Sequence, residues 1–318
     1  MYGIRLRCLP GIINPNVEQD LNSHQLNTRR TTRLKADLML LSVAIIWGSA
    51  FVVQRVAAPH VGIFTFNGLR FMLAAWVLLP IAVRNRLRSP AVSNKKTLLA
   101  VVVAGVLLWG GASLQQAGLR YTTAANAGFI TGLYVVFIPL ILAVGFRRQP
   151  SKYIWTAASL SAIGLFLLST GGRLSLNPGD VLELAGAVFW ALHVILIGWL
   201  VQRLEVFQMA VGQYLVCGLL GVVFGLAIEL DEWNGLVDIW WAVVYTGLFS
   251  AAVGYTLQAA GQRIAPPADA AIILSIEAVF AALFGWLLLG ELLDPIQLIG
   301  CGVIFSGILL AQVYTFRT

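Results

Sequence analysis

Long apolar runs, separated by short polar or Gly- and Pro-containing segments, fill the chain from residue 38 onward. Each run is close to the roughly 20 residues that an α-helix needs to cross a bilayer, and longer than the ~9–11 residues of a membrane β-strand. Helices are expected because lipid offers no partner to backbone N–H and C=O groups. The pattern predicts an all-α integral membrane protein with ten transmembrane helices, at residues 38–57, 62–83, 97–117, 122–146, 153–171, 181–201, 208–229, 239–260, 269–289 and 296–315.

Residues 1–36 differ from the rest of the chain because they are polar and show no helical period. A secretory signal peptide would need an apolar segment with a cleavage site, and none precedes residue 37. A polar segment of this kind has little apolar surface to bury. We therefore predict a mostly disordered cytoplasmic tail over residues 1–36.

The composition agrees with a membrane protein. Of the 318 residues, 59% are hydrophobic and 11% are charged, whereas soluble domains are about 25% charged. So few charged residues cannot cover the surface of a soluble globular enzyme, which excludes that class. The three cysteines form no CxxC pair, and the sequence shows no metal-binding cluster. No metal and no cofactor are predicted.

The basic residues indicate how the helices are oriented. The net charge is +7, and Lys and Arg concentrate in residues 29–35, 84–96 and 147–152, each beside an apolar run. Basic clusters also occur in nucleic-acid-binding proteins, but this placement favours the positive-inside rule. With these segments in the cytoplasm, most acidic loop residues lie on the opposite side. We predict a multi-pass inner (plasma) membrane protein with both termini cytoplasmic and no nucleic-acid partner.

The second half of the chain repeats the first at a constant offset of 143 residues. In the stretch 113–142, eleven of thirty positions are identical to those one offset later, without a gap, and Trp47 pairs with Trp190. Each half, 37–172 and 180–315, holds five predicted helices. Because five is odd, the second half must enter the membrane from the opposite side. Inverted repeats of this kind are typical of secondary transporters that work by alternating access.

Short motifs along the chain occur in an order that is similar to that of a known family. They are Trp47–Phe51 (WGSAF), Leu69–Phe71 (LRF), Leu119–Ala125 (LRYTTAA) with Phe137–Pro139 (FIP), Ser275–Phe280 (SIEAVF) and Gly290–Glu291. Together they resemble the EamA type of the drug/metabolite transporter superfamily over residues 37–315. The resemblance implies ten helices in two inverted halves and a central cavity lined mainly by helices 1, 3, 4, 6, 8 and 9. It also implies export of amino acids, other metabolites or drugs. The chain departs from the family pattern at Ala278, where proline is common and would kink the ninth helix.

Ionisable and aromatic residues inside the predicted helices are the first candidates for substrate binding and coupling, because buried charge is costly in a bilayer. Glu277 would recognise a substrate ammonium group, carry a proton, or hold helices together, and Tyr134 is its counterpart in the first half. His193 titrates near neutral pH or makes an interhelical hydrogen bond. Trp47 and Trp190 would close over substrate or bind a cation, the alternative being apolar bulk.

Further candidates lie on stripes of polar and small residues. Asn126 shares a stripe of the fourth helix with Tyr134 and is a further candidate for substrate binding. The third and eighth helices carry matching stripes, with Gly111 and Gln115 on the third and Gly254 and Gln258 on the eighth. These four residues are predicted to line the cavity, with the glutamines, which lie near helix ends, as gates. Small residues also serve helix packing, which is the alternative for the glycines.

The predicted function is secondary active export of a small polar or amphipathic metabolite. Arg70, beside Asn67 on the second helix, is expected to be structural. Two other classes stay open. One is a membrane-embedded enzyme, although the sequence lacks GxSxG, HExxH, GxGxxG and Walker motifs; the other is a passive channel, although no repeated polar filter is evident. The expected partners are a small-molecule substrate and the lipid bilayer, and a monomer is expected because both halves of the cavity lie on one chain.

Overall fold

The computed structural model describes residues 15–88, 94–147, 149–170, 177–292 and 294–317. This part of the chain is helical and contains no strand. Its helices are α1 (Pro15–Ala57), α2 (Ile63–Arg88), α3 (Lys95–Gly118), α4 (Ala124–Gly132 and Tyr134–Val144), α5 (Lys152–Thr170), α6 (Pro178–Leu200), α7 (Val206–Ile228), α8 (Leu236–Tyr245, Thr246–Tyr255 and Thr256–Gln262), α9 (Pro267–Leu274 and Glu277–Leu289) and α10 (Pro295–Arg317). Eight of these segments are long and apolar enough to cross a membrane, and α5 and α10 supply shorter apolar helices. The predicted ten-helix membrane fold is confirmed.

The structure corrects part of the prediction for the N-terminal tail. Helix α1 begins at Pro15, so residues 15–36 are helical, whereas residues 1–14 lie outside the described part of the chain. Proline suits the first position of a helix because its missing N–H would have no partner there. Arg33 then pairs with Asp37 one turn later, at 3.0 Å between Nε and Oδ1, and with Asp269 on α9, at 3.1 Å. These ion pairs stabilise the turn of α1 that precedes the apolar run at residue 38, and they join it to α9.

The two halves pack against each other through equivalent helices. Helix α2 lies on its counterpart α7, and α5 on its counterpart α10. Helix α3 lies on α6, and the counterparts of these two helices, α8 and α1, likewise lie on each other. The contacts are mirrored as well as the pairs: Gly164 on α5 approaches the backbone of Gly300 on α10, and Gly307 on α10 approaches the backbone of Ala157 on α5. Since Gly307 and Gly300 follow Gly164 and Ala157 by the repeat offset, the two five-helix repeats are related by a pseudo-two-fold axis.

Arginine side chains join the ends of α3 and α8 to the helices that begin each repeat. The Arg120 guanidinium donates to the carbonyls of Ala58 and Val61, at 3.0 and 2.9 Å. The Arg263 guanidinium donates to the carbonyls one offset later, at 3.1 Å each. Arg120 also pairs with Glu232 in the loop between α7 and α8. The loops that the charge pattern assigns to one side of the membrane therefore meet at one end of the bundle.

Helices α4, α8 and α9 are irregular where they pass the centre of the molecule. Helix α4 is interrupted at Leu133, and α9 at Ser275 and Ile276, one repeat offset further on. In α9 the Ser275 hydroxyl donates to the Ile272 carbonyl at 2.8 Å, and such a side-chain bond competes with the helix's own hydrogen bonds. The break therefore forms although Ala278 replaces the proline that is common in the family pattern. Helix α8 is π-helical over Thr246–Tyr255.

Candidate functional site

A small cavity lies between the repeats, where the three irregular helices meet α1, α2, α3 and α6. Its volume is about 30 Å³, which is room for about two water molecules. Both repeats supply its walls: Trp47, Ala50, Phe51, Gln54, Arg70, Gln115, Thr131, Tyr134, Trp190, His193, Val194, Ser250, Tyr255, Gln258 and Glu277. Most of these are polar or aromatic, which is unusual for the centre of an apolar helix bundle and typical of a binding site.

Tyr134 and Glu277 face each other across this cavity. The Tyr134 hydroxyl donates to Glu277 Oε1 at 2.9 Å, and each residue is only 2% exposed. Each residue begins the second segment of a broken helix. Glu277 is thus the first residue of a 13-residue helical segment. The repeat-related residues form one interacting pair at the pseudo-two-fold axis.

Three aromatic rings form one wall of the cavity. The ring of Tyr255 lies between those of Trp47, 4.7 Å away, and Trp190, 5.9 Å away. The Trp47 indole donates to the carbonyl of Ser250 at 3.1 Å. That carbonyl belongs to the π-helical stretch of α8, a type of helical irregularity that is frequent at functional sites. The two tryptophans that the repeat pairs therefore share one aromatic neighbour, Tyr255, which the sequence analysis did not select.

The predicted cavity-lining glycines lie behind the tryptophans of the opposite repeat. A Cβ atom on Gly254 would approach Trp47 Nε1 to 2.6 Å, and one on Gly111 would approach the Trp190 ring at 3.1 Å. Gln115 and Gln258, which were predicted to line the cavity or to gate it, are both among its lining residues. Neither amide atom of Gln258 has a hydrogen-bond partner in the described chain, so this side chain is free to bond a guest.

His193 links two helices as well as lining the cavity. It is fully buried, and its Nε2 lies 2.8 Å from Gln213 Oε1 on α7. Its ring also meets those of Trp190 and Tyr255 edge-on. The structure therefore shows the interhelical hydrogen bond that was one of its two sequence interpretations. Asn126 is not among the residues that line the cavity. It lies in the first turn of α4, where its backbone N–H donates to the Thr123 hydroxyl oxygen.

Two polar links at the cavity escaped the sequence analysis. Arg70 was expected to be structural, but it lines the cavity and donates from Nη1 to Gln54 Oε1 at 2.8 Å. Thr131 donates to Glu183 Oε2 at 3.1 Å, and Glu183 is fully buried on α6. In the described part of the chain, no cluster of His, Cys, Asp and Glu side chains is placed to hold a metal ion. The arrangement fits binding of a small molecule, with one acid and one cation in an aromatic-walled space.

Comparison with known proteins matches each half of the chain to the EamA-like transporter family, at residues 34–170 and 177–312. An uncharacterized transporter of Archaeoglobus fulgidus is 33% identical over 282 residues, which cover 88% of this chain and 87% of that protein. The uncharacterized inner membrane transporter YedA of Escherichia coli K12 is 26% identical over 289 residues, 86% of this chain and 89% of that protein. One solved crystal structure is similar with a TM-score of 0.70 and 18% identity, over 89% of this chain and 98% of the other; at that identity the likeness shows the fold alone.

Proposed function

Because this chain belongs to the EamA-like transporter family, we propose that it is a secondary active transporter that exports a small metabolite across the inner (plasma) membrane. The observation that carries the proposal is the cavity between the repeats, whose polar side chains come from both halves. In secondary transporters with inverted repeats, substrate binds near the bilayer midplane at such an interface.

Alternating access follows from the symmetry of the walls. A cavity of about 30 Å³ is too small for a metabolite, so the helices around it must separate before substrate binds. Substrate enters when the helices at one end separate and leaves when those at the other end do so. Because the repeats are inverted, equivalent helices lie at the two ends, and the broken helices α4 and α9 supply the points at which each half bends.

Glu277 is the proposed coupling residue. Its carboxylate is buried beside the hydroxyl of Tyr134, and no Lys, Arg or His nitrogen lies within 4.0 Å of it in the described chain. A lone buried charge is costly. It is relieved when the carboxylate takes up a proton or a cationic group of the substrate, but not both at once. This competition would exchange protons for substrate in opposite directions.

A tolerance screen identifies the compound that such an exporter moves. Cells that overexpress the chain should survive higher concentrations of some toxic metabolite or analogue than cells with an empty vector. The compound then serves as the transported species in proteoliposomes. If no compound gives tolerance and no compound in the panel is taken up by wild-type proteoliposomes, the transport proposal is refuted.

Coupling is tested by Glu277→Gln, which keeps the shape of the side chain but cannot release a proton. Uptake driven by a pH gradient should fall at least about tenfold, the usual scale for loss of a proton-transfer group, while counterflow of substrate stays measurable. Asp238→Asn is the matched control, because Asp238 is an exposed acid at the start of α8, and it should behave as wild type. Unchanged pH-driven uptake in Glu277→Gln would remove the coupling role.

A further inference from the structure

We propose that Arg70 binds an anionic group, a carboxylate, of the transported molecule. This inference rests on the proposed transport function and assigns one end of the substrate. It concerns a residue whose position in the sequence, beside Asn67 on the second helix, favoured a structural role over a functional one.

The Arg70 guanidinium is buried without a counter-ion. The residue is 2% exposed, and in the described chain no carboxylate oxygen lies within 4.0 Å of its nitrogens. Gln54 accepts from Nη1, whereas Nε has no hydrogen-bond partner. The rings of Phe66 and Phe71 flank the guanidinium carbon at 5.4 and 4.9 Å. A cation inside a membrane protein is normally paired with an acid or with backbone carbonyls, so Arg70 has donor capacity left for a ligand.

The second repeat shows that this position does not need a charge to hold the helices together. Gln213 stands one repeat offset after Arg70. It joins α7 to α6 through the 2.8 Å contact with His193, as Arg70 joins α2 to α1 through Gln54. Two neutral side chains therefore link the equivalent helices of the other half, although His193 stands one offset after Ala50 and not after Gln54. A link between these helices does not need a charge, and we assign the charge of Arg70 to binding.

The surroundings of Arg70 suit a carboxylate that reaches it from the cavity. The same cavity is lined by two donors that have no hydrogen-bond partner in the described chain, the Trp190 indole N–H and the Gln258 amide N–H. Arginine and carboxylate are well matched because two parallel N–H groups meet two oxygens. Glu277 lines the same cavity but is not paired with Arg70. The acid and the cation therefore remain separately available to opposite charges on one guest.

The ligand test uses the purified full chain in lipid nanodiscs and two matched series. The aromatic series is L-phenylalanine, hydrocinnamate, phenylalanine amide and phenethylamine; the aliphatic series is L-leucine, isocaproate, leucine amide and isoamylamine. The first two members of each series carry a carboxylate and the last two do not. We expect at least one carboxylate to raise the thermal unfolding temperature of the wild type by more than its amide and amine do, because those two can contact Glu277 but offer no anion to Arg70. The amino acid and the plain acid distinguish a zwitterionic guest from a simple anion.

Variants then assign the effect to residue 70. Arg70→Gln installs the residue that the second repeat carries at this position, so folding is expected, and affinity for the carboxylate should fall at least about tenfold, as for loss of a charged hydrogen bond. Arg70→Lys should keep part of the affinity because it keeps the charge. Arg84→Gln makes the same exchange at an exposed site on the same helix and should bind as wild type.

Several outcomes would overturn the assignment. They are stabilisation by the amides or amines to the same extent, no stabilisation by any carboxylate of either series, and wild-type affinity for the carboxylate in Arg70→Gln. If Arg70→Gln cannot be purified, the wild-type series and Arg70→Lys still decide. Export of an amine or a neutral compound that Arg70→Gln leaves unchanged would refute the anion site and leave transport standing. Arg70-dependent carboxylate binding without flux of any compound would refute transport and leave the binding site.

Discussion

Individual residues at the cavity were found from the sequence where both repeats carry a recognisable side chain, or where an ionisable side chain such as His193 interrupts an apolar run. The offset of 143 residues paired Trp47 with Trp190 and Tyr134 with Glu277, and all four line the cavity. Tyr255 escaped because its counterpart is alanine, so comparison of the halves gives it no weight. Its place between the tryptophans depends on the π-helical stretch of α8, which hydrophobicity does not encode.

The glycines behind the tryptophans give an asymmetric prediction. Gly254→Ala should lower transport and thermal stability more than Gly111→Ala. A Cβ at 254 would come within 2.6 Å of Trp47 Nε1, against 3.1 Å for the ring beside Gly111. It would thus break the bond from Trp47 to Ser250, which is worth about 1 kcal/mol. Unfolding temperature and proteoliposome flux measured for both variants check this. Equal losses would show that these close approaches do not position the rings.

At the scale of helices, the apolar runs located all ten membrane segments, because span length is set by bilayer thickness. They missed the breaks in α4 and α9 and the extension of α1 to Pro15. Both omissions have the same cause: hydrogen bonds and ion pairs decide where a helix stops or continues, whereas an apolar run records burial alone. The Gly290–Glu291 motif is an example, since its role is visible only in the turn that it makes.

That turn joins α9 to α4. Gly290 ends α9 in the left-handed region, at φ 69°, and the Glu291 amide donates to the Gly285 carbonyl at 3.2 Å. The Glu291 carboxylate lies close to the backbone N–H groups of Ala124 and Ala125 at the start of α4. Burial raises the pKa of Glu291 above its ordinary value, while these amides and nearby Arg55 oppose the shift. The residue therefore fixes the start of the helix that carries Tyr134.

The first repeat has a positive φ angle at the position equivalent to Gly290, but the residue there is not glycine. Arg147 stands one offset before Gly290 and also has a positive φ, 51°. A left-handed conformation costs a residue with a Cβ about 1–2 kcal/mol. We expect Gly290→Ala to lower the free energy of unfolding by about 1 kcal/mol and Arg147→Gly to raise it. Denaturant unfolding in detergent measures both, and changes of the same sign would contradict the explanation.

At the scale of the whole molecule, duplication predicted more than any single motif. A constant offset without a gap implied two equal halves, and the odd number of helices implied inversion; the mirrored packing of α5 on α10 and the mirrored Arg120 and Arg263 links agree with it. The small size of the cavity could not be predicted from the sequence. It depends on how far the two halves separate, which no residue pattern records.

The side of the membrane that each loop faces is a prediction of the charge pattern and can be tested directly. Single cysteines replace Lys95 and Asp231, both exposed, in a chain without Cys8, Cys217 and Cys301. A reagent that cannot cross the membrane should label position 231 in intact cells and position 95 only after the cells are opened. Labelling of both positions from the same side would refute the inverted arrangement of the halves.

The crossing of each tryptophan onto the other repeat's glycine has an evolutionary consequence. Once the ancestral gene had doubled, the copies were no longer independent, since a bulkier residue at 254 disturbs Trp47 and one at 111 disturbs Trp190. A change in one copy can therefore be compensated only in the other. Arg70 and Gln213 each bond a residue of their own repeat, so we expect these two positions to change independently. The glycines and tryptophans contact each other across the repeats, so we expect them to change together.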